Sequence, residues 1–421
     1  MAFRLPKMNR EEPMDDNHIV ALDIGTEFVK ALIARIDGNE LEIVGAGRKH
    51  QDVGDMHSGA IADINGVVKN CEVALAEAES QAGLQAKRVI VGIAGELVKG
   101  TTSTIKYRRP QPNKSLDEDE MRFIIDKVQD RAKEKAQRQI AIETNNRDVE
   151  VKLVNAALVG IHIDGYKVSN PVGFQGKDVA VQIYTAFAPM VHIGAIERVT
   201  DELALDLVAV AAEPFAVSRS VIGDDVASSF TAILADIGGG TTDIAVIDDG
   251  GVEGTKMFGI GGRSFTRQIA NELNVSYEEA EEMKIELDSE EFDESKRPEV
   301  EKAIDRTLEV WLAGVSLALE EFRNVDHLPS RMLLCGGGSS LRLISEVLGG
   351  TSWYEDLPFT HKPKVQLIRP EDVIGITNST EVELDHTYIT AMGLLRVGCD
   401  TIANDGKDKN LIDKISRMLR M

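Results

Sequence analysis

At 421 residues the chain is about three times the length of one typical domain, so two lobes or several subdomains with cores of their own are expected. Hydrophobic residues at 43% and charged residues at 28% exclude global disorder, and 70 acidic against 47 basic residues (formal net charge −23) exclude general nucleic-acid binding. Contact with anionic lipid would need a local basic element. Cys71, Cys335 and Cys399 lie far apart and form no CxxC, which fits a reducing compartment rather than a disulfide framework. No stretch approaches the roughly 18 uninterrupted apolar residues of a spanning helix, and the polar start MAFRLPKMNREEPMDDN has no apolar signal core. The expectation is an intracellular protein with a flexible leader over residues 1–17.

From His18, the run IVALDIGTEFVKALIARI reads as strand, turn and returning strand, with Ile19 to Leu22 buried and Gly25 and Thr26 in the turn. Val67, Cys71, Ala74, Leu75 and Ala78 recur at helical spacing, and KRVIVGIAG follows as a β-branched strand. The architecture is therefore mixed α/β. Between about residues 95 and 182 comes a region of different character: a basic loop, YRRPQPNK, then a charged helix, then short strands around 149–166 and 170–187. Ser115 with Glu118 matches a capping box and predicts the helix start. A second strand and turn, FTAILADIGGGTTDIAVIDDGG, leads to a helix over about 264–273, an acidic stretch, and renewed helical patterning over about 300–323. A third glycine turn, RMLLCGGGSSLRLISEVLG, passes from strand to helix.

The polar segment GCDTIANDGKDK reads as a linker before the terminal NLIDKISRMLRM. On a helical wheel Leu411, Ile412, Ile415, Met418 and Leu419 share one face, with Lys409, Lys414, Arg417 and Arg420 on the flanks and back. Residues 407–421 carry five basic and two acidic side chains. A basic amphipathic helix behind a polar linker reads as a surface anchor for anionic membrane, against docking on its own core or on a partner.

The first two turns share a pattern. Asp23-Ile24-Gly25-Thr26 and the run Asp236, Ile237, Gly238, Gly239, Gly240, Thr241, Thr242, Asp243 each sit between apolar strands, about 213 residues apart, which suggests a duplicated scaffold with one turn from each half facing a cleft. Glycines let backbone N–H groups approach phosphate oxygens, threonine hydroxyls add donors, and Asp23 and Asp236 are placed to hold Mg²⁺ through water. A first turn of this kind is also an ordinary tight turn, whereas three glycines and two threonines exceed what a hairpin requires.

With Gly336, Gly337, Gly338 and Ser339 as the third, the turns resemble, in order, the phosphate-1, phosphate-2 and adenosine motifs of the actin superfamily of ATPases. The resemblance implies an actin-like fold of two lobes built from duplicated mixed-sheet subdomains, with ATP and Mg²⁺ between them and Lys30 among the nucleotide-facing residues. The segments AAEPFAV (211–217) and TYITAMGLL (387–395) resemble the two connecting helices that cross at the hinge. In the first, Glu213 matches the residue that orients the attacking water, or else caps its own helix. GIGGRSFTRQIA and AEEMK resemble the nucleotide-facing turn, with Gly261 and Gly262, and the ribose-contacting helix. There Glu281 and Lys284 reach the sugar or simply pair at i,i+3.

Within the superfamily, AIADINGVVKNCEVALAEAESQAG, KRVIVGIAG and NPVGFQG (170–176) resemble the FtsA family of actin-like cell division proteins. That resemblance implies subdomain 1A over 18–86, 183–210 and 372–398, with the family's inserted subdomain 1C over 87–182. Subdomain 2A would span 211–260 and 330–371, with 2B over 261–329, a linker at 399–408 and an amphipathic membrane-targeting helix at 409–421. It further implies a homopolymer on the cytoplasmic face of the cell membrane at the septum. That polymer would tether FtsZ through the FtsZ C-terminal tail and recruit later divisome proteins, with weak or no ATPase activity. The alternatives are a PilM-like platform protein for pilus assembly and a phosphotransferase of the same superfamily.

Overall fold

In the computed structural model, residues 17–85, 87–222, 229–290, 292–322, 325–350 and 353–405 are described. The leader, except Asn17, and all of residues 409–421, read from the sequence as an amphipathic helix, lie outside them.

The first lobe is built on β1 (His18–Ile24), β2 (Phe28–Asp37) and β3 (Glu40–His50), an antiparallel meander followed by a small hairpin, β4 (Met56–His57) and β5 (Ala60–Ile61). Then come α1 (Ile64–Ala82) and β6 (Arg88–Ile93), which pairs in parallel with β1. Asp63 caps α1 by accepting from the N–H of Asn65 and Gly66, and Gly83 ends it at φ 68°, a left-handed position that favours glycine. The helix backbone rests directly on β3. A Cβ on Gly47 would stand 1.9 Å from the Ala74 carbonyl, so only glycine permits this contact.

The chain then leaves the lobe through β7 (Lys99–Arg108), α2 (Glu118–Glu143), β8 (Val151–Ile163), β9 (Tyr166–Lys167) and β10 (Asp178–Pro189). These strands form an antiparallel sheet in the order β7-β10-β8-β9, with α2 laying Met121, Ile124, Ile125 and Val128 on Ile105, Ile161, Val181 and Ile183. Two expectations change here. The cap of α2 is Asp117, accepting from Glu120 N–H, rather than Ser115. The strands are also long, 13 and 12 residues for β8 and β10, because they pair with each other along almost their whole length. The loop at 170–176 clamps the start of α2: Leu116 exchanges backbone hydrogen bonds with Gly173 and Phe174. Buried Arg109 forks onto Glu120 at 3.0 and 2.8 Å and also reaches the Gly176 carbonyl.

The chain re-enters the lobe through α3 (Met190–Glu202), β11 (Asp206–Ala212) and α4 (Glu213–Ile222). The second lobe repeats the plan with β12 (Ala232–Ile237), β13 (Thr242–Asp248) and β14 (Gly251–Phe258). Next come α5 (Gly262–Leu273), α6 (Tyr277–Glu286), α7 (Arg297–Glu320), β15 (Arg331–Cys335), α8 (Arg342–Leu348) and β16 (Lys364–Leu367). Its order β16-β15-β12-β13-β14 matches β11-β6-β1-β2-β3, with the same sequence of parallel and antiparallel pairings. The two Asp-Gly turns are thus topological equivalents. One bridge, Gly254 to Thr101, joins β14 to β7, so the inserted sheet continues the sheet of the second lobe.

Finally β17 (Ile376–Asn378) pairs with β3, and α9 (Ile389–Asp405) lies against α4. Alternate residues of β1 face two cores. Ile19 and Ala21 meet α4 and α9, whereas Val20 and Leu22 meet α1 and α3. The segment read as a linker from residue 399 is helical through Asp405. Cys399 is buried, Asp400 pairs with Arg219 of α4 at 2.9 Å and with Arg396 at 3.3 Å, and these contacts hold the helix beyond its apolar stretch.

Candidate functional site

Each turn is closed by its first glycine: Gly25 N–H donates to Phe28 O at 3.1 Å and Gly238 N–H to Thr241 O at 2.9 Å. Strand register places Asp23 opposite Lys30 and Asp236 opposite Asp243. Equivalent positions therefore carry a cation in one lobe and a carboxylate in the other. Lys30 Nζ lies 3.0 Å from Asp23 Oδ2. The turn tips touch across the lobes: a Cβ on Gly239 would stand 2.7 Å from Glu27 Cβ, and one on Gly240 would stand 2.9 Å from Thr26 Oγ1.

The N-terminus of α5 braces the second turn. Gly262 and Arg263 donate their N–H groups to the Gly238 and Gly239 carbonyls at 2.9 and 2.8 Å. C=O and N–H of a trans peptide point opposite ways, so the N–H groups of Gly239 and Gly240 point away from α5. The third turn, a single turn of 3₁₀ helix over Gly337–Ser340, lies on the same spot. Gly336, at φ 82°, would carry a Cβ 2.1 Å from Asp236 Oδ1. Thr390, at the start of α9, donates to Asp236 Oδ2 at 2.5 Å. The third turn and the start of α9 thus meet on Asp236, a half-buried carboxylate that begins the second turn, whose tip touches the first turn.

Glu213 opens α4 with its carboxylate against β6, where a Cβ on Gly92 would stand 2.9 Å from Oε1. Burial, then the charges of Asp23, Asp243 and Asp236, push its carboxyl well above the usual range, with Lys30 opposing. Burial, then the charge of Asp236, pushes Asp243 up to about 8, against a hydrogen bond from Thr241. Asp236 is raised as well, by burial first and by Asp23, with Thr390 and Lys30 opposing. Burial disfavours the Lys30 charge, but Asp23 outweighs it and the pKa is raised. Carboxylates crowded together in this way repel one another, and a divalent cation would relieve that repulsion. Among the described residues no group of three His, Cys, Asp or Glu side chains is placed to hold a metal ion directly.

The structure brings together Asp23, Gly25, Thr26, Lys30, Asp236, Gly238, Gly239, Gly240, Thr241, Gly261, Gly262, Gly336 and Glu213. Gly338 packs against Ile237, while a Cβ on Gly337 would meet open space. Two residues of the sequence motifs turn inward instead. Thr242 is fully buried, donates to Ile260 O at 2.7 Å and accepts from the Trp311 indole at 2.9 Å. Ser339 is buried and donates to Gly336 O. Glu281 and Lys284 do pair, at 2.7 Å, and Lys284 also donates to Thr266 Oγ1 and to the Gly262 carbonyl, which ties the pair to the braced turn. From sequence Asp243 was only the end of the second glycine run, with no role of its own, and Thr390 and the interlobe pair of Glu27 with Arg263 were not assigned. The hairpin register could have singled out Asp243, but nothing local marks Thr390, 154 residues from its partner. Leu411, Ile412, Lys414, Ile415, Arg417, Met418, Leu419 and Arg420 lie outside the described residues.

Residues 233–393 match the family model described as cell division protein FtsA. The chain is similar to the cell division protein FtsA of Bacillus subtilis (strain 168), 23% identical over 419 residues that cover 94% of this chain and 86% of that protein. It is also similar to that of Pseudomonas aeruginosa, 26% identical over 405 residues covering 90% and 89%. Among solved structures, the PilM-PilN type IV pilus biogenesis complex shares the fold with a TM-score of 0.64 at 18% identity, over 90% of this chain and 98% of that one. The mixed α/β fold is actin-like, and the likeness read from the motifs extends along most of the chain to one family, that of the cell division protein FtsA.

Proposed function

We propose that this chain is an ATP-binding, actin-like cell division protein that polymerises on the inner face of the cell membrane and tethers an FtsZ ring there. In this reading the FtsZ C-terminal tail docks on the second lobe and later divisome membrane proteins are recruited. The observation that carries the nucleotide part is the meeting of the three glycine turns, the third packed on Asp236 and the tips of the first and second packed on each other, with Asp243 paired across the hairpin from Asp236. Asp23 and Asp236 would hold Mg²⁺ through water, the N–H groups of Gly239 and Gly240 would meet phosphate oxygens, and Lys30 would add charge. The cation would neutralise developing charge on the phosphates and help orient them.

Burial and the charges of Asp23, Asp243 and Asp236 raise the Glu213 carboxyl, so without a cation less of it is ionised, and so able to take a proton from water, than of an ordinary glutamate. The proposal is therefore a nucleotide-biased scaffold with slow or no hydrolysis rather than a phosphotransferase. Among the described residues no helix is long and apolar enough to cross a membrane, so attachment is assigned to the basic amphipathic residues 409–421.

The test is co-sedimentation with anionic liposomes, with and without Mg-ATP, of the full chain and of a version ending at Asp408. Pelleting that requires residues 409–421 and rises with ATP supports the proposal. If both forms stay in the supernatant, a platform role like that of PilM, whose fold the chain shares, replaces it.

A further inference from the structure

One ion pair crosses between the two facing turns. Glu27 belongs to the first turn, and its backbone is fixed to the end of β3 because Gln51 N–H donates to Glu27 O at 2.9 Å. Each carboxylate oxygen meets a nitrogen: Oε1 lies 2.6 Å from His50 Nε2 of the same lobe, and Oε2 lies 2.5 Å from Arg263 Nε of the other. Arg263 is equally constrained, since its own N–H donates to Gly239 O and it occupies the first turn of α5. The two side chains are only 18% and 11% exposed, so solvent screens the pair far less than a surface bridge. A Cβ placed on Gly239 would stand 3.3 Å from Glu27 Oε2, so the carboxylate lies beside the glycine run proposed to meet phosphate.

We propose that Glu27 and Arg263 form an interlobe latch that holds the two glycine turns together without nucleotide and sets how fast nucleotide enters and leaves. The inference rests on the nucleotide reading above. Opening the lobes parts two mostly desolvated charges, which costs more than separating exposed ones. A polyphosphate arriving between the turns presents anionic oxygens beside Arg263 and competes with Glu27 for the guanidinium, a group suited to either anion. Nucleotide therefore replaces the latch rather than adding to it.

The test uses the full chain with two dyes. Cys71, Cys335 and Cys399 are all buried, so cysteines introduced at exposed Val73 on α1 and Val310 on α7 label selectively, one per lobe. Interlobe energy transfer is read without nucleotide, and association of a fluorescent ATP analogue is read by stopped flow. Glu27→Gln, which keeps the shape, and Arg263→Gln, which is shorter and uncharged, should each lower the energy transfer and speed association by about ten-fold. The exchanged pair Glu27→Arg with Arg263→Glu should bring both readouts back toward the parent.

Single variants that leave both readouts within about two-fold of the parent, a change a surface pair would give, overturn the latch. So does an exchanged pair that behaves as the sum of its singles while circular dichroism shows it folded. If the parent binds no analogue, the nucleotide reading fails, and energy transfer in the Gln variants decides the latch alone.

Discussion

Asp243 provides a measurable consequence of the crowded carboxylates. Its pKa stands near 8, against 3.8 for an ordinary aspartate, because burial and Asp236 disfavour its charge. Between those limits the folded protein keeps a proton that the unfolded chain has lost, so stability falls as pH rises from about 4 to about 8 and levels off above. The gap converts to at most about 6 kcal/mol, and relaxation and entering water reduce it to a few. Asp243→Asn keeps the shape and can still accept from Thr241, but removes the titration.

The assay is urea unfolding followed by tryptophan fluorescence without nucleotide or Mg²⁺. The chain has two tryptophans, and both Trp311 and Trp353 pack in the core of the second lobe. Trp311 reports most directly, since its indole donates to Thr242, the neighbour of Asp243. The variant should match the parent within about 1 kcal/mol near pH 4.5 and exceed it by about 2–6 kcal/mol near pH 8.5. A shallower fall should persist in the variant from Asp236 and Glu213. A difference between variant and parent that does not change with pH, or a variant less stable than the parent at pH 8.5, refutes the reasoning.

Two further substitutions test the close approaches. In Gly261→Ala the new methyl would stand 2.5 Å from Gly238 O and 2.8 Å from both Gly239 O and Thr241 N, so the second turn must shift. Titration with a fluorescent ATP analogue should show affinity weakened about ten-fold or more, with about 1–3 kcal/mol of stability lost, and unchanged affinity would disprove the bracing role. Gly393→Ala places a methyl 2.2 Å from the Ala216 carbonyl, between the hinge helices. Despite the better helix propensity of alanine it should cost about 1–3 kcal/mol in denaturant unfolding, and a stabilised variant would show that α4 and α9 part freely.

Much of this protein was legible in its sequence because the governing signals are local. Apolar runs marked β1 and β2, helical spacing marked α1, where all five of the spaced residues are buried, and glycines marked the three turns where backbone must approach closely. The duplication was visible in the paired Asp-Gly turns, and the sheet orders bear it out. Other features depended on which distant groups meet. Strand pleat sends Thr242 to the Trp311 core and its neighbour Thr241 to the carboxylates, a choice invisible in the dipeptide itself. Hairpin register puts Asp243 where the first lobe has Lys30, and only chain closure brings Thr390 to Asp236 and Arg263 to Glu27. The run after Gly398 looks like linker by composition, yet stays helical because Asp400 finds Arg219 on another helix. Local pattern decides what each segment can become, whereas the partners of a charge or hydroxyl are set by packing between segments far apart in the chain.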